Sequence, residues 1–342
     1  MDEFARLPAD ERRAFIGEAA ARRGLTALVI EKDFWVCWTL RRLIEAPDVA
    51  GHLTFKGGTS LSKAYGIIRR FSEDIDLTIG RSAPLVGEVA SPMEDGVTGK
   101  EVERRIKALK TAAERFVAEV ATPALRRAIA EALGTNDGWE LALDPDDRQN
   151  LLFRYPGASP EEGGYVKPRI KLEFGARGEA DPFENRNIVP YVAEDFPDEI
   201  PNGSTTVPTL AVERTYWEKA TILHALHHNG KLRAGLSRHY YDLLMLDRAG
   251  ISGIALASDG LLESVVRNKS IMFADKSASY ATAAPGTLRL LPRDEDQPKL
   301  RDDYEAMAEM FMADPPAFAD LIDGLRALES RINDRSGRSA TG

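Results

Sequence analysis

Phe55-Lys-Gly-Gly-Thr-Ser60 is followed, after a short connection, by Ser72-Glu-Asp-Ile-Asp-Leu77. The first stretch reads as the end of a strand that turns through Gly57-Gly58 into a helix. The second reads as a strand carrying two aspartates, Asp74 and Asp76, one residue apart. Side chains two apart on a strand point to the same face, so both carboxylates aim into one small volume. Ile75, Leu77 and Ile79 take the other face. Two glycines let a backbone approach phosphate oxygens closely, and Ser60 is placed to cap the helix and bind an oxygen. A helix N-terminus beside paired carboxylates suits a divalent metal next to a phosphate chain. Each half also has a plainer reading. Gly-Gly serves in ordinary strand-to-helix turns, and an Asp-x-Asp run can be a solvated edge strand.

A third carboxylate follows from the same periodicity. In Lys167-Pro-Arg-Ile-Lys-Leu-Glu-Phe174, Ile170, Leu172 and Phe174 share one face, and Arg169, Lys171 and Glu173 share the other. If this strand pairs near 74–79, Glu173 completes a three-carboxylate metal site and Lys171 faces the phosphates. The competing reading is a half-exposed strand with a cross-strand ion pair. Lys219 lies on a helix face with Val212, Tyr216, Ile222, Leu223 and Leu226, within about 60° at 100° per residue. A lysine inside an apolar stripe is costly unless it meets an anion or snorkels at the rim. Lys32 repeats the pattern among Leu28, Val29, Trp35, Val36 and Leu43, facing either a core carboxylate or a substrate. Asp242, in Ser237-Arg-His-Tyr-Tyr-Asp242, either orients Lys219, contacts a nucleotide, or pairs with Arg238 one turn away on a solvated surface. His224, His227 and His228 read as a helix end rather than a metal site.

The rest of the chain frames these residues. Its 342 residues are enough for one large domain or two, with 43% hydrophobic and 29% charged residues. The net charge of −9 argues against a protein that coats nucleic acid nonspecifically, without excluding a local basic groove. Arg69-Arg70, Arg104-Arg105, Lys107, Lys110 and Arg126-Arg127 are candidates for such a groove, or simply solvated helix faces. The lone Cys37 is expected to be a buried thiol. Met-Asp-Glu-Phe-Ala-Arg does not read as a signal peptide, and no apolar run reaches the ~18 residues of a membrane span. No membrane association is expected, and the expected compartment is the cytoplasm.

Along the chain we expect an N-terminal helical segment over 1–50, a catalytic core over 51–180, a C-terminal helical domain over 181–335, and a disordered tail at 336–342. The core strands are expected at 52–56, 74–79, 139–143, 151–155 and 166–174, with a helix over 60–68 between the first two. Two helices are expected near 100–120 and 123–133. Residues 180–208 read as irregular because of their prolines. From Leu210 the pattern is helical.

Taken together these residues resemble the AbiEii/AbiGii-type nucleotidyltransferase toxins, a branch of the DNA polymerase β-like nucleotidyltransferase superfamily. The resemblance rests on Glu31-Lys-Asp33, Gly57-Gly-Thr-Ser60, Asp74-Ile-Asp76, Lys171-Leu-Glu173, Glu218-Lys219, Arg238-His-Tyr-Tyr-Asp242 and Asp302-Asp-Tyr-Glu-Ala-Met307. It implies an α+β fold: a polymerase β-like core, a small mixed sheet flanked by helices, with N-terminal helices and a C-terminal helical domain. It also implies a toxin–antitoxin or phage-defence role, with transfer of NMP from an NTP to the 3′ end of tRNA, which blocks translation. The implied cofactor is Mg²⁺, two ions held by Asp74, Asp76 and Glu173. The implied catalytic set is Asp74, Asp76, Glu173, Lys219 and Asp242. The nucleotide-binding set is Gly57, Gly58, Thr59, Ser60, Lys63, Lys171 and Lys219. The implied partner is a cognate antitoxin encoded nearby. Many relatives in the superfamily have Asp where this chain has Glu173, which keeps the charge and adds a methylene of reach. A small-molecule or protein acceptor, and a catalytically silent binding module, are the alternatives. Metal-dependent pyrophosphate release separates the silent module from the enzymes.

Overall fold

The computed structural model describes residues 1–158 and 169–334. The chain divides into two compact units, Met1–Gly66 with Phe71–Leu210, and Ile67–Arg70 with Ala211–Gly342.

The first unit begins with helices α1 (Asp2–Arg6), α2 (Ala9–Arg23) and α3 (Ala27–Glu45). Strand β1 (Leu53–Lys56) runs directly into the short helix α4 (Gly57–Lys63), and β2 spans Asp74–Ile79. Helices α5 (Gly99–Phe116) and α6 (Thr122–Leu133) are joined without a break by a π-helical turn, Val117–Ala121. There follow β3 (Glu140–Leu143), β4 (Asn150–Arg154), β5 (Ile170–Gly175), β6 (Phe183–Ile188), α7 (Tyr191–Asp195) and β7 (Thr205–Leu210). The strands form one seven-stranded sheet in the order β3-β4-β5-β2-β1-β7-β6. The β2/β5 and β1/β7 pairs are parallel and the others antiparallel. This mixed α+β architecture is the expected fold class.

The alternation in β2 and β5 divides the sheet into two unlike faces. Ile75, Leu77, Ile170, Leu172 and Phe153 are fully buried on one face, packed under α3. There Trp35 stacks on Tyr155 with centroids 5.3 Å apart, and Trp38 stacks on Phe153 at 6.3 Å. Asp74, Asp76, Lys171 and Glu173 occupy the other face and are only half-buried.

Two sequence expectations need correction here. Residues 180–208 are not wholly irregular, because β6, α7 and β7 lie in or overlap that stretch. β6 reads Phe-Glu-Asn-Arg-Asn-Ile, an edge strand with no apolar alternation, and β7 carries Pro208, so neither shows the usual strand signal. The helix after Gly57-Gly58 starts at Gly57 and ends at Lys63 rather than spanning 60–68. Positions 166–168 of the expected strand, and the expected tail at 336–342, lie outside the described residues.

The second unit holds α8 (Val212–Asn229), α9 (Ser237–Arg248), α10 (Ile251–Ala257), α11 (Leu261–Met272), α12 (Gln297–Ala306) and α13 (Phe318–Asp334). The short segment Ile67–Arg70 belongs to it: Arg70 bridges to Phe311, and the Arg69 carbonyl accepts from the Met312 N–H at 3.0 Å.

Candidate active site

Sheet register assembles the carboxylates. Lys56, Asp76, Glu173 and Asn150 are successive partners across β1, β2, β5 and β4. One row over, Asp74 partners Lys171. Neighbouring strands lie about 4.8 Å apart, so Asp74, Asp76 and Glu173 rise from one patch of sheet. Burial pushes the Asp74 carboxyl up to about 6, helped by the negative charges of Glu173, Glu73 and Asp76. The neighbouring carboxylates thus add to burial in disfavouring the charged form of Asp74.

Gly57 is required here for two reasons. Its φ of +79° is a left-handed backbone that disfavours side chains, and a Cβ built on it would stand 2.0 Å from Asp76 Oδ2. The Asp76 carboxyl thus lies against the first residue of α4, and any side chain at 57 displaces it. Thr59 ties α4 to β2 by donating its hydroxyl to the carbonyls of Ser72 (3.2 Å) and Asp74 (2.5 Å).

Ser60 and Lys63 are placed otherwise than expected. Ser60 is fully buried, and its hydroxyl donates to the Gly57 carbonyl at 2.9 Å. The helix begins three residues before it, so Lys56 holds the N-cap position and Ser60 can neither cap the helix nor offer its hydroxyl to a phosphate. The Lys63 ammonium is buried 2.9 Å from Asp33 and lies 3.6 Å from the centre of the Tyr191 ring. Burial pulls that ammonium down, but Asp33 outweighs it and the pKa rises. Lys63 is therefore a structural cation.

One turn of α3 sets the frame of this region. Glu31 accepts from the Ala158 N–H. Lys32 pairs with Glu73, which period two turns toward the α3 side of β2 while Asp74 faces the other way. Asp33 accepts from the Tyr191 N–H at 2.6 Å as well as holding Lys63. Lys32 thus meets a protein carboxylate, the first of its two sequence readings. Burial lowers its pKa, and Glu73 works against that.

The donor set fits a hard divalent cation, since the three converging groups are all carboxylates. As the side chains lie, no three carboxylate, imidazole or thiolate groups among the described residues are close enough to share an ion. Glu173 is engaged by Lys171 at 2.5 Å. Burial pulls the Lys171 ammonium down, and the bond and charge of Glu173 more than offset it.

Lys219 and Asp242 form their own cluster within the helical unit. Asp242 is fully buried. Arg70 grips both its oxygens at 2.7 and 2.8 Å, and Lys219 adds a third bond at 2.7 Å. Burial pushes the Asp242 carboxyl up, but the two cations hold it well below the usual carboxylate range. Burial also lowers Lys219, opposing Asp242. We take the cluster as ionic, because the two-pronged Arg70 contact keeps Asp242 charged by itself. The alternative surface pair between Asp242 and Arg238 is thereby replaced. Arg70 leaves the surface basic cluster, since it is 2% exposed. Nothing in the sequence linked it to Asp242. In the histidine group, His224 bonds the Ser279 carbonyl and the Arg289 N–H, and His227 bonds the Leu291 carbonyl, so both are helix-end fasteners.

A mixed sheet whose central strand carries Asp-x-Asp beside a Gly-Gly turn, with a third carboxylate on the adjoining parallel strand, is the architecture of a nucleotidyltransferase. A family model described as "Nucleotidyl transferase AbiEii toxin, Type IV TA system" matches residues 38–325. The chain belongs to that family and is a nucleotidyltransferase toxin of a type IV toxin–antitoxin system, which implies a cognate antitoxin. Among solved structures it is similar to MenT4, nucleotidyltransferase toxin Rv2826c from Mycobacterium tuberculosis H37Rv. The TM-score is 0.51 at 17% identity, covering 94% of this chain and 89% of that one, a likeness of fold. No curated protein matches the sequence. Among the described residues, no helix is long and apolar enough to cross a membrane.

Proposed function

We propose that this toxin transfers NMP from an NTP to the 3′-terminal hydroxyl of tRNA in a Mg²⁺-dependent reaction in the cytoplasm, and so inhibits translation. The observation that carries the reading is the register that sets Asp74, Asp76 and Glu173 on one half-open face. Asp74 and Asp76 would hold Mg²⁺, with Glu173 sharing a second ion. Bound there, Mg²⁺ supplies the positive charge that offsets the triphosphate and lowers the pKa of the acceptor hydroxyl. The hydroxyl oxygen attacks the α-phosphorus, the bond to the α–β bridging oxygen breaks, and pyrophosphate leaves. Glu173 takes the hydroxyl proton. Lys171 gives its charge to the phosphates once Glu173 is engaged. Gly57, Gly58 and Thr59 keep α4 close to β2 and leave room beside Asp76. Within the helical unit, Asp242, held in turn by Arg70, orients Lys219.

The acceptor is proposed from family membership together with the charge of the chain. A protein of net charge −9 makes few phosphate contacts and is better suited to a shaped RNA end than to a long duplex. The proposed setting of this activity is a toxin–antitoxin or phage-defence system. The test incubates purified tRNA with the protein, Mg²⁺ and each NTP in turn, then sequences the 3′ ends. Added nucleotides support the reading. Unmodified tRNA, under conditions where a small molecule or protein is labelled, overturns the acceptor.

A further inference from the structure

The carboxylate face carries a half-buried lysine that the reaction as written does not use. Lys56 ends β1 and is the register partner of Asp76, so its stem leaves the sheet on the same side as Asp74, Asp76 and Glu173. It is half-buried. Lys32, Lys63 and Lys171 each close on a carboxylate. Lys56 does not: among the described residues no carboxylate stands within ion-pair distance of it, although Asp76 is its neighbour. The reason is local. Asp76 is held over Gly57, and the Lys56 ammonium reaches the other way. A Cβ built on Gly178, just beyond β5, would lie 3.2 Å from Lys56 Nζ and 3.5 Å from Thr78 Oγ1. The Thr78 hydroxyl is buried and has no hydrogen-bond partner among the described residues. Among the described residues, an ammonium without a carboxylate partner and an unpartnered hydroxyl thus both lie within 3.5 Å of one point near Gly178, on the face that carries the carboxylates. Helix capping does not explain the lysine, because it stands at the N-cap of α4, where Ser, Thr, Asp and Asn are preferred for their acceptor oxygens.

We infer that Lys56 is a substrate-contacting residue that donates to an anionic phosphate oxygen on the Asp74–Asp76–Glu173 face. The inference rests on the nucleotidyl-transfer reading of that face. Three ammonium donors match a phosphate oxygen, and a charge-assisted bond there needs no protein carboxylate. The phosphate comes either from the triphosphate of the NTP or from the backbone of the acceptor RNA.

The test compares wild type with Lys56→Met and Lys56→Arg. Thermal melts check the fold, and titrations measure the Kd for inorganic tripolyphosphate with Mg²⁺ and for purified tRNA. Lys56→Met should melt with wild type, weaken one of the two ligands about tenfold, and be largely restored by Lys56→Arg, because the charge rather than the stem does the binding. Loss confined to tripolyphosphate assigns the NTP. Loss confined to tRNA, with a salt dependence shallower by about one counterion, assigns the acceptor. Either result supports the inference. Affinities within twofold of wild type for both ligands overturn it, and so does a Lys56→Arg variant as weak as Lys56→Met. A wild type that binds neither probe also overturns it. Because these are binding measurements, a protein that binds through Lys56 and transfers no nucleotide refutes the transfer reading alone.

Discussion

Replacing Asp74 with Asn should stabilise the folded protein at neutral pH and destroy its metal response. The Asp74 carboxyl is shifted from 3.8 to about 6 by burial and by the carboxylates around it. At about 1.4 kcal/mol per pKa unit, the charged form costs the fold at most about 3 kcal/mol. The site is half-buried, and solvent screening reduces this to about 1–2 kcal/mol. The sign follows from the direction of the shift. A folded pKa above the unfolded one means that protonation favours the fold, so Asp74's favourable contribution is complete below about pH 4 and lost as pH rises through 6. Asn mimics the protonated group at every pH. Denaturant unfolding in a chelator should therefore show Asp74→Asn more stable than wild type at pH 7.5 and indistinguishable from it near pH 4. Added Mg²⁺ should stabilise wild type and leave the variant unchanged. A variant less stable than wild type at pH 7.5, or a difference of the same size at both pH values, would refute the account of Asp74 as an under-compensated carboxylate.

Gly57→Ala places a methyl 2.0 Å from Asp76 Oδ2 on a left-handed backbone, so it should cost about 1–2 kcal/mol in stability and at least about a hundredfold in transfer rate. Circular-dichroism melts and pyrophosphate release read the two effects separately. Asp242→Ala removes the buried carboxylate on which Arg70 and Lys219 both close and should destabilise by about 3–5 kcal/mol in urea unfolding. Lys219→Met leaves Asp242 on Arg70 and should stay within about 1 kcal/mol of wild type while losing activity.

The carboxylate-bearing strand was legible because its chemistry and its period coincide. Asp74 and Asp76 alternate with Ile75 and Leu77, and Lys171 and Glu173 alternate with Ile170, Leu172 and Phe174, so a strict two-residue repeat announces both the fold and the face. What escaped the sequence depends on long-range pairing. Arg70 sits next to Arg69 in the chain and looked like half of a surface cluster, whereas its partner Asp242 lies 172 residues away. Lys63 lies at helical spacing from the glycine turn, but Asp33 on another helix claims it. Ser60 was misplaced because the helix starts at Gly57, which puts the serine inside the first turn instead of at its edge. β6 was invisible because an exposed edge strand needs no apolar alternation, and β7 because Pro208 argues against a strand.

The most direct test of the account is nucleotide transfer by wild type and by Asp76→Ala, with α-labelled NTPs, total RNA, and either Mg²⁺ or a chelator. Wild type should label RNA and release pyrophosphate only with Mg²⁺. Asp76→Ala should fall below about 1% of that rate while melting no lower than wild type, because on the proposed mechanism Asp76 holds the metal and the metal supplies most of the charge stabilisation. An Asp76→Ala protein that keeps a tenth of the wild-type rate with the same Mg²⁺ dependence, or a wild type that labels RNA in chelator, would contradict it.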